Sequence, residues 1–295
     1  MQPTLLQVIL LGVIQGAAEL LPVSSSAHVI AAERIMRLDP SSPEMTFLLA
    51  MLHTGTMFAM IAYFWSSWRR TFLAAPTSFR DAFVPLVAAT VATAAVYLVL
   101  EFLIKRVVLG GRPGAEVEDL FSNLYLIAAS LVAAGALILV AGLRARTTES
   151  GSAQPGHSGR AIPFLPSIVI GAVQGVCLPF RGFSRSGATI STGMLLGVPR
   201  RPTEEFSFAL AVVLTPPLIV RELMRLLKAR AAAPGGLHLG ALVGPGLLGM
   251  VCSFLAGLLA LVWLSGWLER GKWHYFGIYC FGAAAGVCIL AKMVH

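Results

Sequence analysis

The chain has 295 residues, of which 57% are hydrophobic and only 12% charged, about half the charged share of a soluble domain, so water is not its main solvent. Its 22 Lys and Arg against 14 Asp and Glu leave a net charge of +8. No basic patch with interleaved aromatics accompanies that excess, which excludes nucleic acid and leaves membrane lipids with anionic headgroups as its partners.

The start, Met1 to Gly12, carries no positive stretch and no small-x-small cleavage site ahead of a polar chain, so no removable signal peptide is expected. An apolar arm then runs from Thr4 to Pro22 and meets Ser24-Ser25-Ser26 and His28 before a second apolar run. The arm is too short to cross a bilayer alone, and Pro22 ends it. Two half-helices joined by a polar loop, a re-entrant hairpin, are therefore predicted. Crossings follow at 47–64, 84–100 and 124–143. The stretch 144–160 is rich in Gly, Ser and Arg and reads as a surface linker. Beyond it the pattern returns: an apolar arm from Pro163 to Pro179, the polar run Ser184-Arg185-Ser186-Gly187, then crossings at 206–220, 239–264 and 275–291. The crossing at 206–220 contains Pro216-Pro217, tolerated where neighbouring helices cover the freed carbonyls. Cys177, Cys252, Cys280 and Cys288 all lie in apolar segments and read as small hydrophobes rather than disulfide partners or metal ligands.

The second half repeats the first. At an offset of 161 residues Glu44 lies over Glu205, Phe47 over Phe208, Ala50 over Ala211, Thr54 over Thr215 and Ser25 over Ser186. At an offset of 159, Gly12-Val13-Ile14-Gln15-Gly16 lies over Gly171-Ala172-Val173-Gln174-Gly175, so the second copy carries two extra residues inside its loop. Ser42-Pro43-Glu44 and Thr203-Glu204-Glu205 each offer a hydroxyl cap with an acid in the first turn. The predicted fold is an all-α polytopic membrane protein with inverted-topology repeats. Residues 1–145 form one repeat, 146–160 the linker and 161–295 the other, each a re-entrant hairpin plus three transmembrane helices. Three crossings per half put the hairpins on opposite faces, meeting near the midplane.

Non-helical backbone at membrane depth survives only when buried in protein or lining a wet cavity. The hydroxyls of Ser24, Ser25 and Ser26, and of Ser184 and Ser186 beside Gly187, together with the free N–H groups of the helix turns that follow, suit a phosphate. Arg185 and Arg181 add a guanidinium fork for phosphoryl oxygens, and Gln15 and Thr189 belong to the same candidate substrate-binding set. Glu19 lies one turn after Gln15 and shares its helix face. A carboxylate there is either catalytic or metal-binding, or the buried structural partner of Arg185 or Arg181. His28 falls in the first turn of the next half-helix, where the dipole favours a neutral imidazole; it is a candidate base or a core hydrogen-bonding residue. His53, in mid-crossing and aligned with Leu214, reads as a polar contact between helices.

These residues carry a resemblance through nearly the whole chain. Gly16-Ala17-Ala18-Glu19-Leu20-Leu21-Pro22-Val23-Ser24-Ser25-Ser26-Ala27-His28 is similar to the acid-containing motif of the bacterial undecaprenyl-diphosphate phosphatases, also known as bacitracin-resistance proteins. Gly182-Phe183-Ser184-Arg185-Ser186-Gly187-Ala188-Thr189-Ile190-Ser191 is similar to their arginine motif. The resemblance implies hydrolysis of a polyprenyl diphosphate, undecaprenyl diphosphate, to the monophosphate carrier lipid and phosphate in the bacterial cytoplasmic membrane, with the site opening to the outer face. It implies a divalent cation, Mg²⁺ or Ca²⁺. Glu19 then resembles the essential acid and candidate metal ligand, Ser25 the nucleophile or phosphate ligand, Ser26 its neighbouring hydroxyl, His28 the catalytic histidine and Arg185 the phosphate-gripping arginine. There are three departures: Gln15 replaces a first glutamate, Ala27 a glycine, and Phe180-Arg181 looks like an insertion. With one carboxylate, a cation would need phosphate oxygens, serines and water to complete its shell.

Two routes fit these residues. Either Ser25 attacks phosphorus while His28 or Glu19 takes its proton, or one of those two activates water while Ser25 holds the phosphate. The competing class is a transporter or flippase of a polyprenyl phosphate lipid, because inverted repeats with broken helices are also a carrier design. Lys and Arg divide evenly between the two predicted sides, so charge alone does not orient the chain. Oligomeric state is open, a homodimer included.

Overall fold

The computed structural model describes residues 3–40, 42–73, 76–110, 117, 120, 123–149, 162–232, 239–268 and 272–294. Most of the predicted linker and of the loop after residue 110 lies outside them.

The described residues are helical: α1 (Leu5–Leu20), α2 (Ser25–Ile35), α3 (Pro43–Leu73), α4 (Pro76–Leu103) with a π-turn at Ile104–Val108, α5 (Leu124–Glu149), α6 (Phe164–Cys177), α7 (Arg185–Leu195), α8 (Arg200–Ala232), α9 (Leu239–Leu268) and α10 (His274–Val294). Two short helices followed by three long ones occur twice. Six described helices are long and apolar enough to span a membrane, Glu44–Thr71, Phe79–Val108, Leu124–Ala145, Arg200–Lys228, Val243–Leu264 and His274–Met293; five of the predicted crossings fall within them, and the one predicted at 239–264 overlaps Val243–Leu264 but starts four residues before it. They expose apolar side chains such as Leu98, Leu259 and Ile289, as a chain solvated by lipid must. The chain is a multi-pass membrane protein. At roughly 1.5 Å per residue, α1 and α6 reach only about 24 and 21 Å.

Helix ends follow local chemistry. Thr4 and Gln7 form a reciprocal capping box on α1. The helix α1 stops at Leu20, where Leu21, ahead of Pro22, is driven out of helical geometry to φ −81° and ψ 149°; α6 stops at Cys177 although Leu178 keeps helical angles, φ −63° and ψ −45°, because Pro179 has no N–H to continue the ladder. Ser42 accepts the Met45 N–H at 3.4 Å and caps α3 as predicted. The matching start predicted at Thr203 is not where α8 begins. It begins at Arg200, and Thr203 instead returns a hydrogen bond from Oγ1 to the Pro199 carbonyl at 2.9 Å. Pro202 permits this, since a first-turn residue has no use for its missing N–H.

The chain falls into two compact units, and each takes segments from both sides of the linker. The first comprises Met1–Leu21, Ser25–Tyr63 and Ala211–Leu264. Here α1 packs on α2 around Val8, Leu11, Val29, Met45, Leu48 and Leu52. The helix α9 approaches α1 closely: a Cβ on Gly16 would stand 2.5 Å from the Ser253 carbonyl oxygen, and Ser253 Oγ donates to the Leu52 carbonyl of α3 at 2.8 Å.

The second unit comprises Pro22–Ser24, Phe64–Leu210 and Ser265–His295. Its helix pairs are α5 with α10, α4 with α6, α5 with α7 and α6 with α7. A core of Leu86, Ala89, Ile170, Phe206 and Leu210 joins α4, α6 and α8. Gly171 of α6 lets the Ala89 backbone come close, and Thr93 Oγ1 donates to the Gly171 carbonyl at 2.8 Å. Cys177 and Cys280 are buried thiols, while Cys252 and Cys288 are half-buried and equally free.

Candidate functional site

Glu19 sits in the last turn of α1, only 9% exposed, and Gln15, one turn earlier, is fully buried. The shared face predicted from their spacing is real, since Gln15 Nε2 donates to Glu19 Oε2 at 3.0 Å. After Leu20 the chain reverses through a short loop whose last residue, Ser24, has φ 68°. That left-handed value is uncommon for a residue with a side chain and stores strain where the chain must turn sharply. The turn delivers Ser25 to the start of α2 with its hydroxyl donating to Glu19 Oε2. Ser24 and Ser25 are buried; Ser26 and His28 are partly exposed, His28 lying in the first turn of α2 as predicted.

His53 comes from α3. Its Nε2 lies 3.7 Å from Glu19 Oε2, and its Nδ1 is 2.8 Å from the Leu49 carbonyl oxygen. The polar contact between helices predicted for it therefore exists, and its partner is the candidate acid. Spacing gave no signal for that partner, because the two residues share no local register. Four side chains from three helices thus converge, with one carboxylate oxygen at the centre.

In the second unit the loop after α6 is closed by the Phe183 N–H on the Phe180 carbonyl at 3.0 Å, so the two extra residues, Phe180 and Arg181, are absorbed in a turn. Gly182, at φ 102°, lies where a Cβ would stand 2.5 Å from the Ile127 carbonyl oxygen. Ser184 caps α7, its Oγ accepting the Gly187 N–H at 3.2 Å. Arg185 opens α7 and is partly exposed, as is Arg181, whereas Ser186 is buried. Thr189 is fully buried: it donates to the Arg185 carbonyl and shares a 2.6 Å hydrogen bond with Ser207 of α8. Trp273 Nε1 donates to Ser191 Oγ at 3.0 Å. The helix that carries Arg185 is therefore tied to α8 and to the segment leading into α10.

A hard divalent cation takes oxygen ligands. Among the described residues no three His, Cys, Asp or Glu side chains come together as a cation site. Beside Glu19, however, Gln15 Oε1 is buried without a hydrogen-bond partner, an oxygen such an ion accepts. One carboxylate and one amide oxygen fit a cation whose remaining ligands come from phosphate and water.

A family model described as bacitracin resistance protein BacA matches residues 8–286. The chain is 55% identical over 289 residues to undecaprenyl-diphosphatase 2 of Acinetobacter baylyi (strain ATCC 33305 / BD413 / ADP1), covering 97% of this chain and 98% of that one. It is 32% identical over 288 residues to an undecaprenyl-diphosphatase of Polaromonas sp. (strain JS666 / ATCC BAA-500), at 97% and 94% coverage. It is 30% identical over 291 residues to one of Korarchaeum cryptofilum (strain OPF8), at 97% and 98% coverage.

Proposed function

Because the chain belongs to the bacitracin resistance protein BacA family, we infer that it hydrolyses undecaprenyl diphosphate to undecaprenyl phosphate and inorganic phosphate. The observation that carries the chemistry is the hydrogen bond from Ser25 Oγ to Glu19 Oε2, buried in a membrane protein. A hydroxyl held on a carboxylate is a nucleophile in contact with its base.

The bond supports the route in which Ser25 Oγ attacks the terminal phosphorus as its proton passes to Glu19. The bond from phosphorus to the bridging oxygen breaks, and undecaprenyl phosphate leaves. Glu19 gives up its proton to the departing lipid phosphate; water, with its proton taken by Glu19 or His28, then cleaves the phosphoserine and frees phosphate, and that proton returns to Ser25 Oγ. Arg185 is assigned to the phosphoryl oxygens, where developing charge must be met by fixed donors. Ser24, Ser26, Arg181 and Ser186 complete the proposed substrate contacts. Glu19 and Gln15 Oε1 would hold Mg²⁺ or Ca²⁺, which supplies charge neutralisation when bound.

The short helices α1–α2 and α6–α7 are proposed as re-entrant hairpins in inverted repeats, since neither α1 nor α6 spans a bilayer by length and the order of helix lengths recurs. The cytoplasmic membrane, with the site open to its outer face, is the location this substrate asks for.

Purified protein in detergent, given undecaprenyl diphosphate with and without divalent cation, should release phosphate, and rapid quenching with labelled substrate should trap label on Ser25. S25A should be almost inactive, and E19Q slower by about 10²-fold or more. A fully active S25A enzyme would transfer the attack to water.

A further inference from the structure

His53 has no part in the mechanism above, yet it stands beside the proposed base. Glu19 Oε2 has two lone pairs, and Ser25 Oγ and Gln15 Nε2 already donate to it. Gln15 sits on the same helix as the carboxylate, and Ser25 must let go during attack. Rotation about the terminal torsion of a glutamate is broad and roughly two-fold, so a contact from a different, fixed element restrains the carboxylate through the attack.

The helix α3 provides one. A carbonyl oxygen only accepts, so the 2.8 Å contact with Leu49 requires that Nδ1 of His53 carry a hydrogen. That bond orients the ring and leaves Nε2 facing Glu19 Oε2 at 3.7 Å, where it holds a carboxylate by donating, with a hydrogen on both ring nitrogens. The α3 backbone is itself held here, since the Leu52 carbonyl accepts from Ser253 Oγ of α9 and the His53 carbonyl accepts from Thr56 Oγ1 at 2.9 Å. A separation of 3.7 Å is longer than a hydrogen bond, and catalytic contacts of this kind are often long without substrate and tighten when it binds.

We propose that His53 is a positioning residue that holds the Glu19 carboxylate in line with Ser25 through its Nε2. The proposal rests on Glu19 acting as the base of Ser25. Its test uses two substitutions that separate the two ring nitrogens. Gln carries its amide nitrogen as many bonds from Cα as Nε2 of histidine, whereas Asn carries it as many as Nδ1. H53Q therefore keeps the reach to Glu19, and H53N keeps only the tie to Leu49.

With phosphate release measured on the full chain in detergent, H53Q should stay within about threefold of the wild-type kcat. H53N should lose about 10-fold or more in kcat with KM nearly unchanged, the pattern of an interaction made in the transition state. If H53N does not fold, H53L takes its place; the aligned position in the other repeat is Leu214. Wild-type kcat in H53N or H53L overturns the proposal, and so does H53Q falling as low as H53N, or a loss confined to KM. E19Q is assayed alongside. A fully active E19Q removes the base on which the proposal stands, whereas a slow E19Q beside a fast H53N overturns only the role of His53.

Discussion

Each residue of the candidate site answers to a different physical demand. Ser24 adopts a backbone angle that glycine would take at lower cost, and it is the residue from which Ser25 is directed to Glu19. Gln15 stands where the family resemblance leads one to expect a second acid. It donates to Glu19, as a carboxylate could not unless protonated, and keeps one buried oxygen unpartnered. Arg185 opens a helix whose first turn is capped by Ser184, and so lies at the helix end that favours an anion. Its proposed function depends on planar, two-pronged recognition, which an ammonium cannot reproduce. R185K should therefore lose most of the phosphate-release activity while remaining folded. Near-wild-type kinetics would reduce Arg185 to a point charge.

At the scale of elements, the aligned glycines do matching work. Gly12 and Gly16 admit α9 against α1, and their aligned partners Gly171 and Gly175 admit α4 against α6. These are the small residues that allow close helix approach in membranes. A Cβ at Gly171 would run into the Ala89 carbonyl oxygen and lie 2.6 Å from Ala89 Cα. Backbone cannot yield as a flexible side chain can, so G171A must push α4 and α6 apart, at a cost of about 1–3 kcal/mol. Its melting temperature in detergent should fall below that of the wild type. G282A is the control: a Cβ there meets nothing within 4 Å, so stability should be unchanged or slightly raised. Equal melting of the two variants would remove the tight approach from the account of this interface.

For the whole molecule the open matter is the sidedness of the two halves. Three crossings per half invert the second relative to the first if each hairpin returns to the side it entered from. Single cysteines at Asp39, Gly110 and Lys272, in a chain whose four native cysteines are replaced by alanine, test this with a membrane-impermeant thiol reagent on intact cells. Asp39 and Gly110 should label alike and Lys272 oppositely. The same answer at all three positions would exclude the inverted repeat.

Features that depend on composition and short spacing were legible from the residues alone. Long apolar runs placed the six crossings, Pro22 and Pro179 marked the ends of the short helices, and the spacing of Gln15 and Glu19 put them on one helix face. The serine loop beside Glu19 was legible too, because the partners lie a few residues apart in the chain. Tertiary structure decided what joins distant residues: His53 of α3 at Glu19 of α1, Ser253 at Leu52, Thr189 at Ser207 and Trp273 at Ser191. It also decided the start of α8, where Thr203 was taken into the helix rather than left to cap it. The repeated glycines were visible in the sequence, but the helix each one admits was not. Periodicity states which face of a helix is small or polar; only packing selects the neighbour that covers it.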